Sequence, residues 1–127
     1  MVKTRLISFE IDQKVNLDHP IAVDLLVIYD EELLKQILAL PAADWFEKRS
    51  QFKNNYPRSL STWEWELVPE PKSPQGALLF RTPSNLKKAK GIILFAKYLT
   101  PGEHRIRLDA LESARVRLGE KEVVIVK

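Results

Sequence analysis

Apolar and polar residues alternate strictly at the start of the chain. Ile7, Phe9 and Ile11 take one side, and Ser8, Glu10 and Asp12 take the other. This period of two predicts a half-buried strand. Val15 to Pro20 carries Asn16, Asp18 and Pro20 close together, which is turn chemistry. The next run puts Ile21, Val23, Leu25, Val27 and Tyr29 on one face, yet Ala22, Leu26 and Ile28 make the other face apolar too. That pattern predicts a strand covered on both sides, by a facing sheet and by something laid over the outside.

The period then changes to that of a helix. Asp30 suits an N-cap, and Glu31 and Glu32 stand where the helix dipole favours negative charge. Leu33, Ile37 and Leu40 share a face, with Leu34 and Leu38 beside them. Pro41 ends this helix or opens the next. A second helix over Ala42–Asn55 sets Trp45, Arg49 and Phe52 along one stripe with Phe46 adjacent, and Asn54, Asn55, Tyr56 and Pro57 stop it.

Alternation returns with Trp63, Trp65 and Leu67 against Glu64 and Glu66. Pro69, Pro71 and Pro74 mark an extended loop or an edge. Short strands are predicted at Ala77–Phe80 and His104–Leu108, and a near-continuous apolar central strand at Ile92–Leu99. Ala114–Leu118 pairs with Glu122–Val126 across Gly119, and a basic connector spans Ser84–Lys90. Seven or eight strands at this spacing predict a mainly all-β, two-sheet sandwich with a helical insert at about 30–57, between strands 2 and 3. At 127 residues the chain is read as one domain, 1–127.

Charge adds one asymmetry. The formal net charge is only +3, but from Arg81 onward eleven Lys/Arg face five Asp/Glu. Such a stretch can meet an anionic membrane, an acidic protein or nucleic acid, or can be the solvated face of alternating strands. Chemistry-bearing groups are sparse. There is no cysteine, which excludes disulfides, thiolate metal sites and a Cys nucleophile. His19 and His104 stand in turns without an attendant motif, and no His or carboxylate cluster has ligand spacing. The four glycines are isolated, so no phosphate cradle is formed. No catalytic residue, cofactor or metal is predicted, nucleic acid is not predicted as a partner, and no apolar run is long enough to span a membrane. Trp63 and Trp65 could stack on sugar, or pack in the core as alternating strand residues usually do.

The insert carries more aromatic residues than a short helix needs to dock on a sheet. Trp45, Phe46 and Phe52, with Arg49 among them, have the composition of a contact surface or of a packed layer. The order of elements resembles the small outer-membrane lipoprotein of bacterial type VI secretion systems, the TssJ/VasD-like family. The resemblance rests on Val15–Pro20 after the opening strand, on Val23–Leu33 running from strand into helix, and on Asp44-Trp45-Phe46 starting an aromatic helix. It continues through Trp65–Pro69, the central run Ile92–Tyr98 and the closing stretch Ala114–Leu118. It implies a transthyretin-like sandwich and a non-enzymatic periplasmic domain. Such a domain would be tethered to the outer membrane by an N-terminal lipid and would dock the periplasmic part of an inner-membrane secretion protein. A signal peptide and lipidated Cys characterise that family, and the resemblance places both outside these 127 residues. Partner contact is expected from Lys72 and Gln75 in the proline-rich loop, from Glu103 in the turn after the central strand, and from Trp45, Phe46 and Phe52 as a second surface. A carbohydrate- or other ligand-binding sandwich using Trp63 and Trp65 is the alternative from another class. A cytoplasmic accessory protein of the same machinery is a third.

Overall fold

The computed structural model describes residues 2–68, 78–83 and 86–126. Eight strands are found among them: β1 (Leu6–Ile11), β2 (Ile21–Ile28), β3 (Leu60–Leu67), β4 (Leu78–Arg81), β5 (Gly91–Ala96), β6 (Arg105–Arg107), β7 (Ser113–Leu118) and β8 (Val123–Ile125). They form two four-stranded sheets in the orders β4-β1-β7-β8 and β3-β2-β5-β6. β1 and β7 run parallel, and the other pairs are antiparallel. Between β1 and β2 lies a single turn, α1 (Val15–Asp18). Between β2 and β3 lie α2 (Glu31–Leu38) and α3 (Ala42–Asn55). The chain is therefore a two-sheet β-sandwich with a helical insert, as its hydrophobic pattern predicts.

Strand alternation builds the core between the sheets. Ile7 and Phe9 of β1 and Ala114, Val116 and Leu118 of β7 point inward, against Ile21, Val23, Leu25 and Val27 of β2 and Ile92 and Leu94 of β5. Trp63 and Trp65 belong to this layer. Trp65 lies 5.5 Å from the Phe9 ring, and Phe80 of β4 sits 5.2 Å from Trp63 and 5.5 Å from Trp65. Both rings are half-buried and engaged with the core, the packing role that alternating strand residues usually take.

The outer faces of β2 and β5 carry a second core. Leu26, Ile28, Ile93 and Phe95 are covered by Leu33, Leu34 and Ile37 of α2 and by Trp45 of α3. The double-sided apolar pattern of β2 thus has its predicted cause. Asp30 caps α2 by accepting the Leu33 N–H at 2.8 Å, and Pro41 stands at the N-cap of α3. A Cβ on Gly91 would come within 2.8 Å of the Leu34 Cδ1, so glycine at the start of β5 lets α2 lie close to the sheet. Two predicted strands are shorter than their patterns. β5 stops at Ala96: Lys97 still donates to Ala22, its partner in the register, but the Tyr98 N–H folds back onto the Ala96 carbonyl and the Leu99 N–H goes to the Asn16 side chain. β6 begins after His104, whose φ is +47. Within the predicted basic connector, Leu86–Lys88 is a 3₁₀ turn.

One polar residue interrupts the helix-covered face. Asp24 is fully buried and directly opposite Glu64 of β3 in the strand register. Two carboxylates in that relation repel, and α3 resolves the conflict. Trp45 Nε1 donates to Asp24 at 2.8 Å and Arg49 donates to both Asp24 oxygens at 3.0 and 3.1 Å. Arg49 also lies 3.7 Å from Glu64, and Lys53 donates to Glu64 at 2.7 Å. Residues 45, 49 and 53 are spaced i, i+4, i+8, so one helical stripe meets the acidic row. The Trp45 ring stacks on Phe95 at 5.5 Å and 9°. Burial raises the Asp24 carboxyl above its ordinary value, and the bonds from Trp45 and Arg49 offset only part of that. Glu64 moves the other way, held below 4.5 first by the Lys53 bond and then by Arg49.

Asp24→Ala should cost about 1–3 kcal/mol. It strands the buried indole N–H, worth about 1–3 kcal/mol, while the loss of the ion pair to partly exposed Arg49 is offset by relief of the Asp24 desolvation. Urea unfolding measures this, and a loss under about 0.5 kcal/mol would sink the account. The two carboxyls also have opposite pH signatures. Glu64, with its lowered value, adds stability that is full above pH 4.5 and is lost as pH falls through its folded value. Asp24, with its raised value, favours the folded state as pH falls. Glu64→Gln should therefore flatten the loss of stability between about pH 5 and 3 relative to wild type. Parallel curves would contradict the assignment.

Candidate protein-docking site

The strands give the sandwich two distinct ends. The chain enters at one, where Val2 to Arg5 precede β1. At the other, the loop end, lie the β1–β2, β5–β6 and β7–β8 connections. Asn16 ties these three together. Its backbone φ is +51, and Leu17 and Asp18 follow at +55 and +64, so α1 is a left-handed turn. Asn is among the few residues that adopt this region readily. The buried side chain donates through Nδ2 to the Pro20 carbonyl at 2.9 Å and accepts the Leu99 N–H at 2.7 Å. Backbone bonds from Asn16 and Leu17 reach Gly119 and Glu120 in the β7–β8 turn.

A second set of bonds fixes the β5–β6 loop. His104 packs on Tyr98 with centroids 4.7 Å apart and the rings tilted by 32°, and its Nε2–H donates to the Thr100 carbonyl at 2.8 Å. Thr100 Oγ1 donates to the Lys121 carbonyl at 2.8 Å. Gly102 has φ +148, and a Cβ there would lie 3.0 Å from His104 Nε2, so the turn needs glycine on both counts. The Tyr98 hydroxyl is buried without a hydrogen-bond partner among the described residues. Burial pushes the phenol well up, and the nearby Gly119 amide counters this only in part, without a well-formed bond. On the helix side, the Ala42 N–H donates to the Glu103 carbonyl at 2.8 Å and Arg105 donates to the Leu40 carbonyl at 2.6 Å. The loop end is thereby locked to the sandwich and to the α2–α3 junction.

The resulting surface is rigid, partly apolar and open. An open cleft of about 460 Å³ runs between Thr100–Arg105 and Lys121–Val123. Leu17 and Leu99 are 38% and 59% exposed beside the Asn16 anchor. Phe46 is half-buried, with Lys97 Nζ 5.9 Å and Arg49 5.4 Å from its ring centre, so it borders the same end. Nothing in this arrangement positions a nucleophile against a base. Among the described residues no group of three or more His, Asp or Glu could hold a metal.

The predicted contact residues separate accordingly. Glu103 lines the cleft and is exposed, and Phe46 is half-buried beside Arg49 and Lys97 outside the cleft lining. Trp45 is fully buried against Phe95 and Asp24 and has no surface to offer. Phe52 is half-buried between Trp45 and Tyr56. Both are packing residues of the helical layer, because the stripe that carries them is the one that faces the sheet. Lys72 and Gln75 lie outside the described residues. Leu17, Leu99 and Asn16 were not singled out by sequence. The available signal was a leucine set between Asn16 and Asp18 in a turn, and another just before Thr100-Pro101-Gly102.

Solved structures share this architecture end to end. Lip of Serratia marcescens, a membrane-bound component of the type VI secretion system, matches with a TM-score of 0.64 and 19% identity over 98% of each chain. The T6SS lipoprotein TssJ1 of Pseudomonas aeruginosa matches at 0.67 and 16%, covering 98% of this chain and 95% of that one. A chain of a type VI membrane complex matches at 0.71 and 15%, with both chains fully covered. This chain has the TssJ lipoprotein fold. By sequence, no family model and no curated protein matches it. The likeness extends over 98–100% of this chain, so it takes in both sheets and the helical insert.

Asn16→Ala should destabilise the TssJ-type scaffold by about 1–2 kcal/mol, since it removes two part-buried hydrogen bonds, one from the Leu99 N–H and one to the Pro20 carbonyl. Amide exchange at Leu99 should accelerate with it. Unchanged protection there would show that Asn16 does not anchor the loop.

Proposed function

We propose that the protein is a non-enzymatic structural component of a bacterial type VI secretion membrane complex. In this reading it is a periplasmic domain, tethered to the outer membrane by a lipid on a segment preceding the fold, and it docks an inner-membrane partner. The observation that carries the reading is the end-to-end likeness to a type VI lipoprotein and to a chain of a type VI membrane complex.

Docking is assigned to the loop end. Exposed Leu17 and Leu99 can supply apolar contact, with Glu103, Lys97 and Lys121 as a charged rim. Phe46 extends the surface toward α3. A stitched loop cluster loses little conformational freedom on binding, which favours affinity from a modest area. Lys72 and Gln75 remain proposed contacts of the β3–β4 connection, which leaves β3 at this same end.

The test is calorimetric titration of the chain with the periplasmic domain of its inner-membrane secretion partner. Leu99→Asp combined with Glu103→Arg should weaken binding by at least about tenfold, as expected for hot-spot residues, with the thermal midpoint unchanged. Lys72→Glu with Gln75→Glu probes the β3–β4 connection separately. Wild-type affinity in the first variant would remove the loop end from the interface. No binding by the wild-type chain would remove the partner.

A further inference from the structure

Four arginines of the C-terminal half are neutralised where the strands place them. Arg115 and Arg117 project from the outer face of β7 and pair with Glu10 at 2.8 Å and Asp12 at 3.0 Å on the β1 side. Arg107 pairs with Asp109 at 2.7 Å, and Arg105 lies 3.5 Å from Glu103. Lys97 and Lys121 stand at the loop end, and a larger group of cations without ion pairs stands at the end where the chain enters. Lys3 and Arg5 precede β1, Arg58 stands between α3 and β3, Arg81 closes β4, and Lys88 and Lys90 precede β5. All six are exposed, and none has an ion pair among the described residues.

Topology brings them to one end. Arg81 is opposite Leu6 in the strand register, the Lys90 N–H donates to the Ile28 carbonyl, and the Lys3 N–H donates to the Asp109 carbonyl. The Tyr29 N–H donates to the Ser59 carbonyl, which seats the Arg58 turn beside them. The acids at this end are mostly committed. Asp30 caps α2, Glu32 lies 3.7 Å from Lys35, and Asp109 holds Arg107. Glu31 and Glu112 are the exposed acids that remain there.

We propose that this entry end is a basic platform that lies against anionic lipid headgroups, and so orients the domain with its loop end pointing away from the bilayer. The cations come from the strand ends of both sheets and not from one groove or helix, which suits a broad anionic surface. A basic patch next to a tether holds a domain to a bilayer more firmly than either alone, and each cation near the surface strengthens binding about fivefold. The inference rests on the membrane-proximal role proposed above.

The experiment is co-sedimentation of the unlipidated chain with vesicles of phosphatidylcholine alone or with 30% phosphatidylglycerol. Binding is expected only to the anionic vesicles, and to be lost in high salt. Arg81→Glu with Lys88→Glu and Lys90→Glu should weaken it about a hundredfold. Lys14→Glu with Lys48→Glu and Lys121→Glu makes the same change in net charge elsewhere and should leave most of the binding in place. Equal loss in both triple variants, no preference for anionic vesicles, or tighter binding to single-stranded DNA than to the vesicles would overturn the proposal. Docking of the protein partner, titrated with the same Arg81, Lys88 and Lys90 triple variant, should be unchanged. A failure of vesicle binding is thereby distinguishable from a failure of the docking reading.

Discussion

The constraint on which this architecture depends is the buried carboxylate of Asp24. A charge in the middle of an apolar layer is tolerated only with partners, and its strand neighbour across the register is another acid, Glu64. The partners come from α3, which must therefore present Trp45, Arg49 and Lys53 to the sheet in one rotational setting. Apolar burial alone would let a short amphipathic helix slide or roll. The indole N–H and the guanidinium bonds to Asp24 fix its position along β2 and β3, and the Trp45–Phe95 stack fixes its height. With α3 set, its N-terminus receives the Glu103 carbonyl and the loop end inherits that position. The polar contact thus contributes more to specificity of arrangement than to net stability, because desolvating Asp24 offsets much of what the bonds return.

The loop end is the second consequence. Three connections far apart in sequence converge on Asn16, whose amide satisfies a carbonyl four residues on and an amide 83 residues on. A left-handed turn at three successive residues is unfavourable in isolation. It persists because these bonds and the backbone contacts to Gly119 and Glu120 define it from several sides. Exposed Leu17 and Leu99 flank this anchor, so the apolar contact area stands on the most tightly held part of the loops.

Much of this was legible in the chain. The apolar residues on both faces of β2 announced that a further layer must cover the sheet, and Asp30 marked where it begins. The aromatic surplus of α3 was also visible, but its direction was ambiguous. Whether Trp45 and Phe52 face a partner or the sheet depends on Asp24, 21 residues before Trp45, and Asp24 reads in sequence as one more polar position in an alternating strand. Glu64 was hidden in the same way, reading as solvated when it is held by Arg49 and Lys53. Asn16 read as turn chemistry, which is correct locally. Its role as an anchor depends on Leu99, and no local pattern carries an 83-residue separation. Long-range polar partners leave no periodicity, and that is where sequence reading stopped.

Charge placement follows from the same strand logic. Alternation in β7 forces Ala114, Val116 and Leu118 inward, so Arg115 and Arg117 must point out. The parallel pairing of β1 then sets Glu10 and Asp12 within reach of them, each Arg crossing diagonally to an acid nearer the loop end. Paired in this way, the sheet face carries little net charge, and the unpaired cations of the entry end stand out against it. The two ends are separated by the length of β2, about 25 Å at the usual rise for eight residues. A rigid body of that length cannot bring both ends to one contact. The proposed tether at the entry end and the proposed docking surface at the loop end are therefore compatible roles, since in that reading the packed sandwich between them would turn attachment at one into orientation of the other.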